Sequence, residues 1–218
     1  MKELELALSI LNNDIDNDVP FAEALRTVFV ADPTIRPYSS VVAGLVGCAL
    51  RHNLLFSYLT RGLADFTVEE KRLVALALGN DYFYRHIAAE DMNAALKEAI
   101  GEEKYALVEP LLADAPDSSK LIPESISRTS NLYLSLRYNI PEFALRIFQR
   151  EGHGAAYRTL RAWNTPRTST VRVTPRLNED AKRNLNLEPT PVDGVFHYLG
   201  KTALRKIESF RRNEFFEE

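Results

Sequence analysis

Residues 39–63 read SSVVAGLVGCALRHNLLFSYLTRGL, an apolar run whose main interruption is Arg51, His52 and Asn53 together. The run is far longer than an ordinary strand and its apolar residues do not alternate. It therefore predicts a largely buried helix that starts from a Ser cap and bends at Asn53. A helix apolar on most sides must be covered on most sides, and the flanking sequence supplies the cover. Leu4, Leu8 and Leu11 form one face of a first helix. Pro20 opens a second, carrying Phe21, Leu25, Val28 and Phe29, and Pro33 and Pro37 break it. Thr67 with Glu70 three residues on is a capping-box signature for the next helix. Residues 88–100 and 103–115 complete a bundle of five or six helices, with Pro110 interrupting the last.

Residues 114–125, DAPDSSKLIPES, hold two prolines and three serines and mark a hinge. Beyond it the pattern predicts helices near 124–138, 141–150 and 154–164, then strands at 168–174 and 195–199, rich in β-branched and aromatic residues. The expectation is a mainly α chain, with a helical bundle over 1–115 and a helical linker plus small α+β part over 124–218.

Charge divides along the same line. Residues 1–120 carry 11 Lys+Arg against 19 Asp+Glu, whereas residues 121–218 carry 16 against 11. Residues 128–176 contain nine arginines, no lysine and only Glu142 and Glu151 as acids. A basic half points to an anionic partner, and arginine's planar fork pairs with phosphate and stacks on bases. Arg146 and Arg150 lie on one predicted helix at helical spacing, as do Arg158 and Arg161 on the next. Arg172 sits between Val171 and Val173, so it faces away from both. With Arg167 and Arg176, these seven are the candidate phosphate contacts. Tyr157 and Trp163 carry rings able to stack on bases, although core packing is the simpler role for both.

Other chemistry finds little support. Cys48 is the one cysteine, so no disulfide framework or cysteine-built zinc site is possible. It falls in the apolar run, where burial makes a thiol inert. His52, His86, His153 and His197 have no metal-ligand spacing. GVFHYLGKT has five residues between its glycines where a P-loop has four, and its middle is strand-like. Gly152-His153-Gly154 follows a helix and reads as a helix stop. Gly44 and Gly47 allow close helix packing. Glu69-Glu70 and Glu102-Glu103 stand at helix starts, where they favour the dipole. No run of ~18 apolar residues could span a membrane. With no signal-peptide pattern at the start, a reducing cytoplasm is the expected compartment.

Two stretches carry a family resemblance. GLVGCALRHNLLFSYL followed by VEEKRLVALALGNDYFYRHIAAEDMNAALKEA resembles NusB-like domains, with Arg51 at the arginine of the G-x-L/V-R helix. Glu98 lies in the A-x-x-E-A helix formed by residues 95–99, and Ala88 stands where a proline is usual. Residues 140–174, IPEFALRIFQREGHGAAYRTLRAWNTPRTSTVRVT, resemble the P-x-W/F-L-…-G-…-L-…-N-x-P-…-L-R-V-N stretch ahead of the catalytic domain in the Sun/RsmB family of RNA cytosine-5 methyltransferases. Thr174 replaces the final asparagine. The order of the two stretches is that family's order. The tail FHYLGKTALRKIESFRRNEFFEE resembles the segment leading into the methyltransferase domain, with Asn213 at an expected glycine and the end falling at an expected Asp.

The resemblance implies a NusB-like bundle followed by an RRM-like subdomain that lacks part of its sheet. It implies that the longer protein methylates 16S ribosomal RNA with S-adenosylmethionine, while this chain holds RNA, binds no cofactor itself and carries no catalytic residue. Neither a Gly-rich cofactor turn nor a Pro-Cys nucleophile motif is present. DNA and membrane partners are not expected. The alternatives are a non-enzymatic NusB-type RNA-binding antitermination factor and a helical adaptor for other proteins.

Overall fold

The long apolar run forms two helices, α3 (Ser39–Arg51) and α4 (Asn53–Thr60), which meet at a sharp break. The axes of Pro33–Arg51 and Asn53–Thr60 diverge by 73°. The hydrogen bond that would join the Leu54 N–H to the Leu50 carbonyl is replaced by the side chain of Asn139. Its Oδ1 accepts from Leu54 N at 2.8 Å and its Nδ2 donates to Leu50 O at 3.3 Å. A side chain inserted into the helical ladder is a recognised cause of a kink, and this one comes from 85 residues away. Asn139 itself adopts the left-handed conformation, φ 52°, that ends the helix Asn131–Tyr138. Ser39 is not the cap that the sequence suggested. A 3-10 turn, Pro33–Tyr38, runs directly into α3, and the capping side chain is Asp32, which accepts from Thr34 N at 2.9 Å.

The computed structural model describes residues 1–112, 118–164, 169–175, 177, 179–200, 202, 204, 207–208 and 215–217. It is mainly α with a small α+β part, in two units, Met1–Leu160 and Arg161–Glu218. In the first unit, α1 (Lys2–Asp16) packs on α2 (Phe21–Ala31), α3 and α5 (Val68–Gly79). Next come α6 (Ala89–Ile100) and α7 (Glu102–Leu112), which pack on each other and on α5. Leu4, Ala7, Ile10 and Leu11 of α1 face Val42, Leu45, Val46, Leu76 and Leu78 in one core. Residues within and past the predicted hinge join that core, namely Leu121 and Ile122 and then Leu136. The unit thus runs beyond the boundary expected at 115–124, because those three leucine-sized side chains complete the bundle.

Local signals set some of the helix ends. The capping box at α5 is present: Thr67 Oγ1 accepts from Glu70 N at 3.1 Å, and Glu70 Oε2 accepts from Thr67 N at 2.7 Å. The same carboxylate takes Lys104 Nζ at 2.7 Å, which ties α5 to α7. Arg72 of α5 makes a two-pronged pair with Asp16 of α1, both bonds 2.6 Å. Pro110 does not interrupt α7; it lies in the last turn, and the helix ends two residues later. Residues 121–130 are turns rather than the start of a helix. Ser130 then caps α8 (Asn131–Tyr138) by accepting from Tyr133 N at 3.1 Å.

At the end of α5 the chain widens into a π-helical turn, Asn80–Tyr84, and leaves it through Arg85 in the left-handed region, φ 51°. Asn80 is fully buried and its amide is satisfied by Ile87 N, Ile87 O and Asp81 Oδ1. Asp81 is 4% exposed, its Oδ2 has no partner, and burial pushes its carboxyl up. The turn lays Tyr84 across α3, where its hydroxyl donates to Ser40 O at 3.1 Å, and a Cβ at Gly44 would overlap the Tyr84 ring. Gly44 is therefore the close-approach glycine; nothing lies against Gly47. Cys48 is half-buried rather than buried, and burial pushes its thiol up against an opposing effect of Arg51.

Helices α9 (Glu142–Phe148) and α10 (His153–Asn164) follow α8. Leu134, Leu145 and Leu160 form a small core of their own, with Tyr133, Tyr138, Ile140 and Phe148 against it. In the second unit β1 (Ser169–Val173), β2 (Leu187–Pro189), β3 (Val195–Tyr198) and β4 (Phe215–Glu217) make an antiparallel sheet of order β2-β3-β1-β4, with α11 (Glu179–Asn184) between β1 and β2 in the chain. The sequence suggested two strands and a missing sheet partner. The sheet instead has four strands, with β4 pairing along β1 in the register Arg172 to Phe216. Val171, Leu177, Tyr198 and Leu204 form the core of this unit.

Candidate nucleic-acid interface

Helix α9 presents two unlike faces. Leu145 is fully buried, while Phe143 and Ile147, two residues to either side, point the opposite way at 75% and 60% exposure. Arg146 is exposed beside that outward face, and Arg150, also exposed, follows in the 3-10 turn Gln149–Glu151. The outward surface of α9 is therefore an apolar pair with one guanidinium group beside it, and a second exposed arginine follows in the next turn. On α10, Ala156 and Leu160 point inward, and Tyr157, Arg158, Arg161 and Trp163 are exposed. The Arg158 guanidinium lies over Gly154, with Nη1 3.7 Å from where a Cβ would stand. No ion pair among the described residues engages Arg146, Arg150 or Arg158.

Tyr157 and Trp163 are 45% and 57% exposed, so neither fills a core as the sequence suggested. Tyr157 meets Tyr138 edge to face, centroids 6.1 Å apart. Burial, followed by the hydrogen bond and charge of Tyr157, pushes the Tyr138 hydroxyl up to about 12. Phe143 is the exposed aromatic that sequence reasoning passed over. Its place in the helical phase directly opposite Leu145 was the available signal.

Arg172 is exposed on β1, and Val171 beside it is buried, as strand alternation required. The register places Thr170 beside His197 and Arg172 beside Val195 on the sheet face away from Val171. Among residues whose side chains are described, the one ring on that face is the half-buried His197 imidazole, and no Phe, Tyr or Trp stands there of the kind on which RRM sheets stack bases. Arg167 and Arg176 lie outside the described residues. The structure thus puts Arg146 on α9, Arg150 in the 3-10 turn Gln149–Glu151 that follows because the helix expected over 141–150 ends at Phe148, and Arg158 and Arg161 on α10, and it leaves Arg172 on the sheet.

The fold defines a class, a helical bundle continued by a small four-stranded α+β unit. The chain is similar over its whole length to the crystal structure of a protein named PH0851, with a TM-score of 0.54 at 11% identity. It spans 52% of that chain, about half its length, and at such low identity the likeness is one of fold. Neither a family model nor a curated protein matches the chain.

Proposed function

We propose that this chain is the RNA-holding front part of an S-adenosylmethionine-dependent ribosomal RNA cytosine-5 methyltransferase, and that α9 and α10 contact the RNA. The observation that carries the RNA reading is the outward face of α9, where exposed Phe143 and Ile147 share the surface with exposed Arg146, and exposed Arg150 follows in the next turn. Guanidinium groups without acidic partners suit phosphate, and an exposed ring beside them suits an unstacked base. The methyltransferase reading rests on the order of the NusB-like and P-x-F…R-V stretches. A chain that spans half of its structural neighbour is consistent with it. The residues here do not fit the cofactor, since no Gly-rich turn leads from a strand into a helix among the described elements. The methyl transfer and its cofactor accordingly belong to a further part of the protein, and no chemical step is assigned to this chain.

Fluorescence anisotropy with a labelled single-stranded ribosomal RNA fragment, titrated at several salt concentrations, tests the RNA reading. Each lost phosphate contact lowers the salt slope by about 0.7 on single strands. The triple change Arg146→Ala, Arg150→Ala and Arg158→Ala is expected to flatten the slope by about two units and weaken binding at low salt at least tenfold. Arg61→Ala with Lys71→Ala in the bundle is expected to leave both unchanged. Equal losses in the two variants, or no binding by the unaltered chain at low salt, would end the RNA reading.

A further inference from the structure

A second surface, in the Met1–Leu160 unit, has a different character. Helices α1, α4 and α5 enclose a groove of about 420 Å3, crossed at one end by the last turn of α3. Its floor is Leu11, Ala49, Leu50 and Phe56, of which Leu11, Ala49 and Phe56 are at most 4% exposed. Its rims carry Ile15 from α1 at 44% exposure and Val68 from α5 at 64%. The charged residues lining it are Arg61, Lys71 and Arg72, and no carboxylate is among the lining residues. Residues 1–120 carry 19 acids against 11 bases, so a wholly cationic lining runs against the charge of the bundle around it.

The three cations are not equivalent. Arg72 is committed to Asp16 and Asn12. Arg61 is braced but not neutralised: its guanidinium lies 3.8 Å from the Tyr58 ring centre and donates to the Tyr58 hydroxyl at 3.0 Å. Lys71 forms no ion pair among the described residues. Two cations without acidic partners therefore stand beside an apolar trough bounded by two exposed aliphatic side chains.

We propose that this groove takes an acidic amphipathic helix of a partner protein. The apolar floor between three helices suits side chains at i, i+3/i+4 and i+7 of a helix laid into it. Arg61 and Lys71 suit Glu or Asp flanking that stripe, which would steer the approach and fix its direction. Nucleic acid fits the groove poorly. The lining offers it one ring, Phe56, which is 1% exposed and unavailable for stacking, and a floor that gains nothing from phosphate. The groove is independent of the α9–α10 arginines, so it does not rest on the RNA reading.

The test uses the whole chain and a displayed library of helical peptides of about four turns. Each peptide carries a randomised apolar stripe, with flanks all Glu in one half of the library and all Lys in the other. The expected result is selection from the Glu-flanked half alone. In solution, Ile15→Glu and Val68→Glu are each expected to weaken a selected peptide at least tenfold. Arg61→Glu with Lys71→Glu is expected to reverse the preference toward Lys-flanked peptides. Ile15, Val68 and Arg61 are exposed and Lys71 is rim-lying, so circular dichroism should show these variants folded. Arg61→Ala with Lys71→Ala provides a milder pair in case it does not, and should cost a Glu-flanked peptide several-fold while leaving RNA anisotropy unchanged. The proposal is overturned if no Glu-flanked peptide is selected or if selected peptides ignore these substitutions. It is equally overturned if the same substitutions abolish RNA binding, which would make the groove an RNA site.

Discussion

Between pH 6.5 and about 4 the Met1–Leu160 unit is expected to lose about 3 kcal/mol of stability through His52 alone. His52 sits at the α3–α4 break, stacked on Phe83 with ring centres 3.7 Å apart and tilted against Phe56 at 5.9 Å. Burial first, then Arg51 and Arg137, pushes its imidazole down from 6.5 to about 4. Above pH 6.5 both folded and unfolded chains hold it neutral, and the full stability is present. As pH falls through 6.5 the unfolded chain takes up a proton that the folded chain refuses, so stability drains until the folded pKa is reached. The carboxylates of Asp16, Asp32 and Glu70 are held low by their hydrogen bonds to Arg72, Thr34 and Lys104, so their losses begin only near and below pH 4.5. Asp81, raised by burial, acts in the opposite sense and regains stability on acidification. The clean readout is therefore a difference. Urea denaturation of the unaltered chain and of His52→Phe, which keeps a ring on Phe83, should diverge by about 3 kcal/mol from pH 7 to pH 4. Parallel pH profiles would show that His52 is not the buried neutral group described.

Phe56→Ala is expected to be the most damaging single truncation, at about 3–5 kcal/mol. Phe56 is 1% exposed and touches three kinds of neighbour at once: the His52 ring, the Phe83 ring edge-on at 6.2 Å, and the α5 backbone at Gly79. Because it also floors the groove between α1, α4 and α5, water can enter the space it leaves, which places the loss toward the lower figure. For a chain of this size the midpoint should fall by about 10 °C in a thermal melt followed by circular dichroism. Phe56→Leu should recover most of that. A drop of only one or two degrees would mean that the ring is not packed as described.

The parts of this fold that were legible in the sequence are those encoded within a few residues. The capping box of Thr67 and Glu70 needs only four positions, and the structure has it. The break at Asn53 was readable as polar residues in an apolar run, but its cause was not. The side chain that fills the break belongs to Asn139, far off in sequence, and no local pattern announces it. Ser39 failed as a cap for a related reason. The preceding 3-10 turn supplies the backbone geometry, and the capping oxygen moves upstream to Asp32. β1 and β3 were visible through Val171, Val173 and the VFHY run. β2 and β4 were missed because three-residue strands have too little alternation to register.

Of the candidate site, the arginines could be named from charge alone, and the pairing of Arg158 with Arg161 on one helix could be read from their spacing. Helical spacing put Arg150 on the helix of Arg146, but that helix ends at Phe148, and the exposure of Tyr157 and Trp163 likewise reversed the simpler expectation for an aromatic residue. A large ring on a short amphipathic helix reads as core until it is known which side the helix buries. In α10 that side is held by Ala156 and Leu160.

Asn139 also sets an order of events during synthesis. The bundle's last helix, α7, ends at Leu112, yet the break between α3 and α4 stays unfilled until residue 139 has emerged from the ribosome. Leu121, Ile122 and Leu136 arrive in the same interval and close the core. At the usual pace of translation this is a wait of about one to five seconds. During it, seven helices have been made but cannot yet settle. A nascent chain of this kind passes through a period of exposed apolar surface whose length is fixed by one asparagine's position, and the segment bearing Arg146, Arg150 and Arg158 is made just after it ends.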